Sequence, residues 1–87
     1  MFIQGLVIMN SAKEAKLAEI FQVVLDVASD VDAKSVRRVA EPRWDSLAHT
    51  SMVAAIESEF GLHLEIEDME RMTSFAATRL LLEEKGL

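Results

Sequence analysis

Between residues 17 and 28 the apolar side chains return every three or four positions: Leu17, Ile20, Phe21, Val24, Leu25 and Ala28. That step matches the turn of an α-helix and puts all six on one stripe. A chain of 87 residues has room for one small core, so this stripe must be covered by the rest of the same domain. A second stripe, Met52, Val53, Ile56 and Phe60, ends at Gly61, a residue suited to closing a helix. Only one proline and three glycines interrupt the chain, and 51% of its residues are hydrophobic, well above a disordered composition. Together these features predict an all-α domain.

The helix boundaries follow from capping chemistry. Asn10 or Ser11 can cap the first helix, and Glu14 stands three residues after Ser11, the spacing of a capping box. The first helix is expected over residues 12–27. Residues 30–43 read as a long connection, with Val31, Val36 and Val39 pinning it to the core. Pro42 bars a regular helix there, and Trp44 follows as an anchor. The second long helix starts at Asp45 or Ser46. Leu62, Leu64 and Ile66 alternate with polar residues, but no partner strand is in sight, so they are expected in an extended loop facing inward. Residues 66–72 form a short acidic helix with Met69 and Met72 on its core side. Thr73 or Ser74 then caps a last helix packed through Phe75, Leu81 and Leu82, and Gly86 ends it. The expected fold is a four-helix bundle with a short third helix and a long first loop. Residues 1–9 stand apart as an N-terminal appendage of strand-like character, disordered or folded back, with Met9 an alternative start. Residues 10–87 form the domain.

Charge and cysteine usage narrow the function. The net charge is −6. Acids and bases balance as far as Arg43, so the whole excess lies from Trp44 onward. An acidic face repels nucleic acid and anionic lipid and attracts basic protein surfaces; the same acids also keep a small protein soluble. No cysteine is present, which excludes disulfides, thiolate metal sites and a protein thiol nucleophile. Residues 1–9 are apolar but short, lack a basic start and lead to no small-residue cleavage site, unlike a secretory signal. No run approaches membrane-spanning length. The expected location is cytoplasmic, without membrane insertion, and the expected state is a monomer.

The stretch with the most chemistry is Asp45-Ser46-Leu47. Asp and Ser are both favoured helix caps, so the tripeptide alone says little. Its place says more, because free N–H groups and the positive dipole end at a helix start favour a phosphate. Behind it, Leu47, Thr50, Ser51 and Ala54 form a small, partly apolar face suited to several partners in turn. Asp45, Ser46 and His49 also supply the residue types of a hydrolase triad. A triad, however, needs a buried acid and an oxyanion hole, and one exposed helix end offers neither. No catalytic residue is assigned, and His49 is expected to be a solvated helix residue. His63 with Glu65, and Glu67 with Asp68 and Glu70, lack a metal-ligand spacing, so no metal is expected.

These residues resemble the acyl carrier protein family. The likeness rests on Asp45-Ser46-Leu47 at a helix start, on Ile56 and Phe60 at the steps after the serine, and on Glu57-Ser58-Glu59-Phe60-Gly61 at the helix end. The short acidic helix, Thr73-Ser74-Phe75 and the last helix follow in order. The resemblance covers residues 11–87 and is densest over 44–73. It implies a carrier, not an enzyme. A phosphopantetheinyl transferase would move 4′-phosphopantetheine from coenzyme A onto Ser46, and the thiol of the arm would hold acyl groups as thioesters. Asp45 and Leu47 would flank the attachment point, and Leu47, Thr50, Ala54 and Glu57 would contact partners. Those partners would be an acyl-loading ligase or synthase and acyltransferase-type enzymes with basic docking patches, in lipid, fatty-acid, polyketide or other specialised biosynthesis. The sequence departs from the family where Trp44 replaces a frequent glycine. It departs again where Ala48, His49 and Ser51 thin the usual acidic strip, which implies a specialised standalone member. Two other functions fit the same residues: a peptidyl or aminoacyl carrier, and a small acidic interaction domain without a prosthetic group in which Ser46 is only a cap.

Overall fold

The computed structural model describes residues 8–87. The strand-like character expected of residues 1–7 lies outside the described residues. Among the described residues five α-helices follow one another: α1 (Ser11–Leu25), α2 (Asp30–Lys34), α3 (Ser46–Phe60), α4 (Ile66–Arg71) and α5 (Phe75–Glu84). A 3-10 turn, Arg38–Ala40, lies between α2 and α3. The domain is all-α, and among the described residues the only β pairing is an isolated bridge between Arg37 and Ser74.

Capping sets the limits of α1 and α3. Asn10 Oδ1 accepts from Lys13 N–H at 2.8 Å, so Asn10 is the cap of α1. The Ser11–Glu14 capping box expected from spacing is not formed; Glu14 bonds Arg79 at 3.0 Å and Lys34 at 3.2 Å instead. Helix α1 ends at Leu25, two residues before the expected end, and Asp26 follows as its cap in the left-handed region. This leaves Ala28 exposed and off the helical stripe. Helix α3 ends as expected at Gly61, whose φ of 65° a side chain would strain.

The connection expected as one long loop is a correction. It holds α2, started by Ser29, whose Oγ accepts from Asp32 N–H at 3.1 Å. Asp30 and Asp32 in its first turn complement the helix dipole, and Ala33 is wholly buried. A small buried residue seats so short a helix against α1, where Val31 and Val39 were expected to do so. Both valines are in fact exposed, and only Val36 joins the core. Hydrogen bonds stitch the following segment to the α4–α5 turn: Arg38 N–H to Thr73 O at 2.8 Å, and Phe75 N–H to Val36 O at 3.1 Å.

The core gathers the expected stripes, with Leu17, Phe21, Leu25, Met52, Ile56, Leu64, Met72, Phe75, Leu81 and Leu82 all buried. Phe60 and Met69 pack at its edge. Ile66, expected inside, is exposed, because it opens α4 on the solvent side. Met9, at the end of the N-terminal segment, is buried, and its N–H donates to Glu83 Oε2 at 2.9 Å. At the centre, Phe21 meets Trp44 edge-on with centroids 5.3 Å apart, and Phe75 likewise at 5.1 Å.

Because Phe21 touches both other rings, Phe21→Ala is expected to cost about 3–5 kcal/mol of unfolding free energy. Val39→Ala, on an exposed side chain, should stay within about 0.5 kcal/mol. Urea unfolding of both variants checks this, and equal losses would mean that the aromatic cluster is not the centre of the core.

Candidate functional site

The candidate site is the start of α3, and the turn before it is tightly held. Arg43 donates from Nε to Glu41 at 3.0 Å and from its NH1 group to the Asp26 carbonyl at 2.7 Å. The second bond ties the turn to the end of α1 and satisfies a terminal carbonyl there. Hydrogen bonds from Arg43 hold the Glu41 carboxyl below the usual carboxylate range. Trp44 N–H then bonds Glu41 O at 3.0 Å, and the buried indole goes into the core against Phe21. Residues 45 and 46 are therefore delivered to the surface by a fixed anchor.

At that point Asp45 is the cap, with its Oδ1 accepting from Ala48 N–H at 2.8 Å. Ser46 is the first helical residue and takes no part in the capping. Its side chain stands on an exposed position, next to Leu47, which is 77% exposed although apolar. The idea of Ser46 as a plain cap is overturned, since one carboxylate already does that work. Thr50 and Ala54 share the exposed face with Leu47, and Thr50 Oγ1 donates back to Ser46 O at 3.0 Å. Glu57 lies further along α3, but its carboxylate is engaged within the chain: Oε2 accepts from Leu64 N–H at 2.8 Å and faces His63 Nδ1 at 3.2 Å. His63 Nε2 also stands 3.5 Å from Glu65.

His49 departs most from expectation. It is not a solvated residue. Its Nδ1 accepts from Trp44 Nε1–H at 3.0 Å, and its Nε2 bonds the Met69 carbonyl of α4 at 3.0 Å. The rings of His49 and Trp44 stack at 27°. Burial pushes the imidazole below its ordinary pKa; the Met69 bond opposes this, and the charge of Arg38 adds to it. Both ring nitrogens are occupied by groups other than Ser46, and the Asp45 carboxylate is turned to Ala48. The three residue types of a triad thus share one turn without forming its hydrogen bonds. A sequence signal for His49 did exist: a buried tryptophan N–H needs an acceptor, and the imidazole lies one helical turn into α3.

Two open hollows, of about 730 and 460 Å³, lie elsewhere. The larger is lined by Asp26, Asp32, Val36, Arg37 and Arg43, the smaller by Arg37, Val39 and Ser74 among others. Ser46 lines neither, and its side chain is exposed. No protein-family model, curated protein or solved structure matches the chain.

The division of labour between Asp45 and Ser46 can be measured. Asp45→Ala should lose about 0.5–2 kcal/mol, the cost of an N-cap. Ser46→Ala should lose no more than about 0.5 kcal/mol. The reverse order in thermal or urea unfolding would return the cap to Ser46.

Proposed function

We propose that this chain is an acyl carrier protein whose attachment residue is Ser46. The observation that carries the proposal is the freedom of that hydroxyl. It is exposed at the mouth of a helix of 15 residues, while Asp45 caps the helix and Trp44 fixes the approach. On this reading α1, α3, α4 and α5 are the four helices of a carrier bundle, and α2 is an addition within the first connection.

The residues around Ser46 fit a phosphodiester. The first N–H groups of α3 point outward along the helix axis, where an anion is favoured. The Asp45 carboxylate is engaged with Ala48 N–H. A 4′-phosphopantetheine group on Ser46, taken from coenzyme A, would supply a thiol for thioester formation, which this cysteine-free chain lacks. The chain's own share is to present and to dock. Trp44 holds the serine at a fixed place on the core, and the helix end leaves it open to a transferase. Leu47, Thr50 and Ala54 offer a contact face of small and apolar side chains. The exposed Glu65, Glu67 and Glu70 of the α4 region supply negative charge that steers basic partners, namely the transferase, acyl-loading enzymes and acyltransferases. Glu57 contributes less to such steering, because its carboxylate is occupied within the chain. Among the described residues no helix is long and apolar enough to cross a membrane.

Intact mass after incubation with coenzyme A, magnesium and a broad-specificity phosphopantetheinyl transferase tests the proposal. The chain should gain one phosphopantetheine, and Ser46→Ala none. No gain with several transferases, from folded protein, would leave an acidic interaction domain as the function.

A further inference from the structure

His49 is an ionisable side chain that joins three parts of the fold, a role the proposed function does not use. The ring stands on α3, stacks on Trp44 of the preceding turn and meets the Met69 carbonyl of α4. Among the described residues, this last contact is the only hydrogen bond between α3 and α4 themselves.

Its neighbours fix the tautomer. An indole N–H can only donate and a carbonyl can only accept. Nδ1 must therefore carry the lone pair, and the ring proton sits on Nε2. A second proton would have to go to Nδ1, where it would face the indole N–H 3.0 Å away, donor against donor. Trp44 is only 3% exposed, so its N–H would be left without an acceptor inside the protein. The alternative is for the imidazole to swing out, which also releases Met69.

No nearby charge favours the imidazolium. Arg38, from the 3-10 turn, opposes it as a like charge. Asp45, the cap of α3, gives its carboxylate to Ala48 N–H. Beside Met69 on α4, Asp68 is held by Lys85 at 2.9 Å and by Glu65 N–H at 2.9 Å, and Glu70 is exposed. Helix α4 is also tied to α5, by Arg71 to Glu84 at 2.9 Å. The Asp68 and Glu84 carboxyls lie below their ordinary values because of those partners. The α4–α5 pairs therefore stay ionised while the histidine takes up its proton.

We infer that His49 is a proton-operated latch: neutral, it holds α4 and Trp44 to the start of α3, and on acidification it releases α4 at Met69 while α4 stays tied to α5. The sign follows from the neutral form being the one that fits the fold. His49 binds its proton less readily folded than unfolded. Its contribution to stability is full above about 6.5 and is lost as pH falls from there through the folded value. The latch does not depend on a group at Ser46, so the unmodified chain tests it and its failure leaves the carrier proposal untouched.

The chain has one tryptophan and two histidines, which makes the signals assignable. Nuclear magnetic resonance of the full chain, from about pH 8 to about pH 5, would follow the indole N–H, the His49 ring and amide exchange in α4. The proteins are wild type, His63→Gln and His49→Gln, the last keeping a donor and an acceptor that cannot titrate. In wild type and His63→Gln, the indole N–H should move with His49 at a midpoint below 6.5. Its exchange protection should fall about tenfold, the effect of losing one buried hydrogen bond. His49→Gln should stay flat over the same interval. An unchanged indole down to about pH 5, a transition that persists in His49→Gln, or a His49 midpoint at or above 6.5 would each overturn the latch. If His49→Gln does not fold, His63→Gln alone decides: a shared midpoint for ring and indole supports the latch, and separate midpoints sink it.

Discussion

Phe21 meets Trp44 on one side and Phe75 on the other, both edge-on, and so joins α1 to the turn before α3 and to the first residue of α5. In a domain this small, a few large side chains must supply much of the buried area. The aromatic cluster does so where three segments of the chain converge. It also sets a polar requirement, because a buried indole brings an N–H with it. His49 meets that requirement, and its second nitrogen extends the connection to Met69 of α4. The position of α4 against α3 thus follows from a packing choice made at Phe21.

The same anchor shapes the candidate site. Trp44 is buried and Ser46 is exposed two residues later, so the chain passes from core to surface within one step. Arg43 braces that passage against the end of α1, and Asp45 closes the first turn of α3. The result is an exposed serine hydroxyl held two residues from a buried anchor. Such a placement suits a group that other proteins must reach, which is the basis of the proposed carrier function. The occupied carboxylate of Glu57 and the exposed Glu65, Glu67 and Glu70 move the proposed charge complementarity away from α3 and towards the α4 region.

Acidity is distributed in two ways on this chain. Glu14, Glu41, Asp68 and Glu84 are each held low by an arginine or lysine partner, and their ion pairs brace exposed helix ends and turns. The favourable ionisation they provide is present above the ordinary carboxylate values and lost only in stronger acid. His49 works at a higher pH and in the opposite chemical sense, since it stabilises the fold by staying neutral. The proposed latch begins to loosen below about 6.5, where the ion pairs still hold.

Helical periodicity was sufficient to place α1, α3, α4 and α5 and nearly all of the buried stripe, because a repeat near 3.6 residues is a local property that survives any packing. Gly61 as a helix end was legible for the same reason, and the cap of α5 was narrowed to Thr73 or Ser74, of which the structure uses Ser74. The Asp45-Ser46-Leu47 stretch likewise stood out from residues alone. Other features depended on partners distant in sequence. Ala33 could seat α2 only once α1 was beside it, and Val31 and Val39 are exposed among the described residues. Which of Asp45 and Ser46 caps α3 was left open by the residue types, since both are favoured caps, and the structure gives the bond to Asp45. His49 became a bridge only when α4 folded across α3 and brought the Met69 carbonyl to its ring. The sequence by itself determined α1, α3, α4 and α5 and the residue types at the site. Tertiary structure decided that the imidazole of His49 was bound, because the Met69 carbonyl lies twenty residues away and only packing brings it within reach.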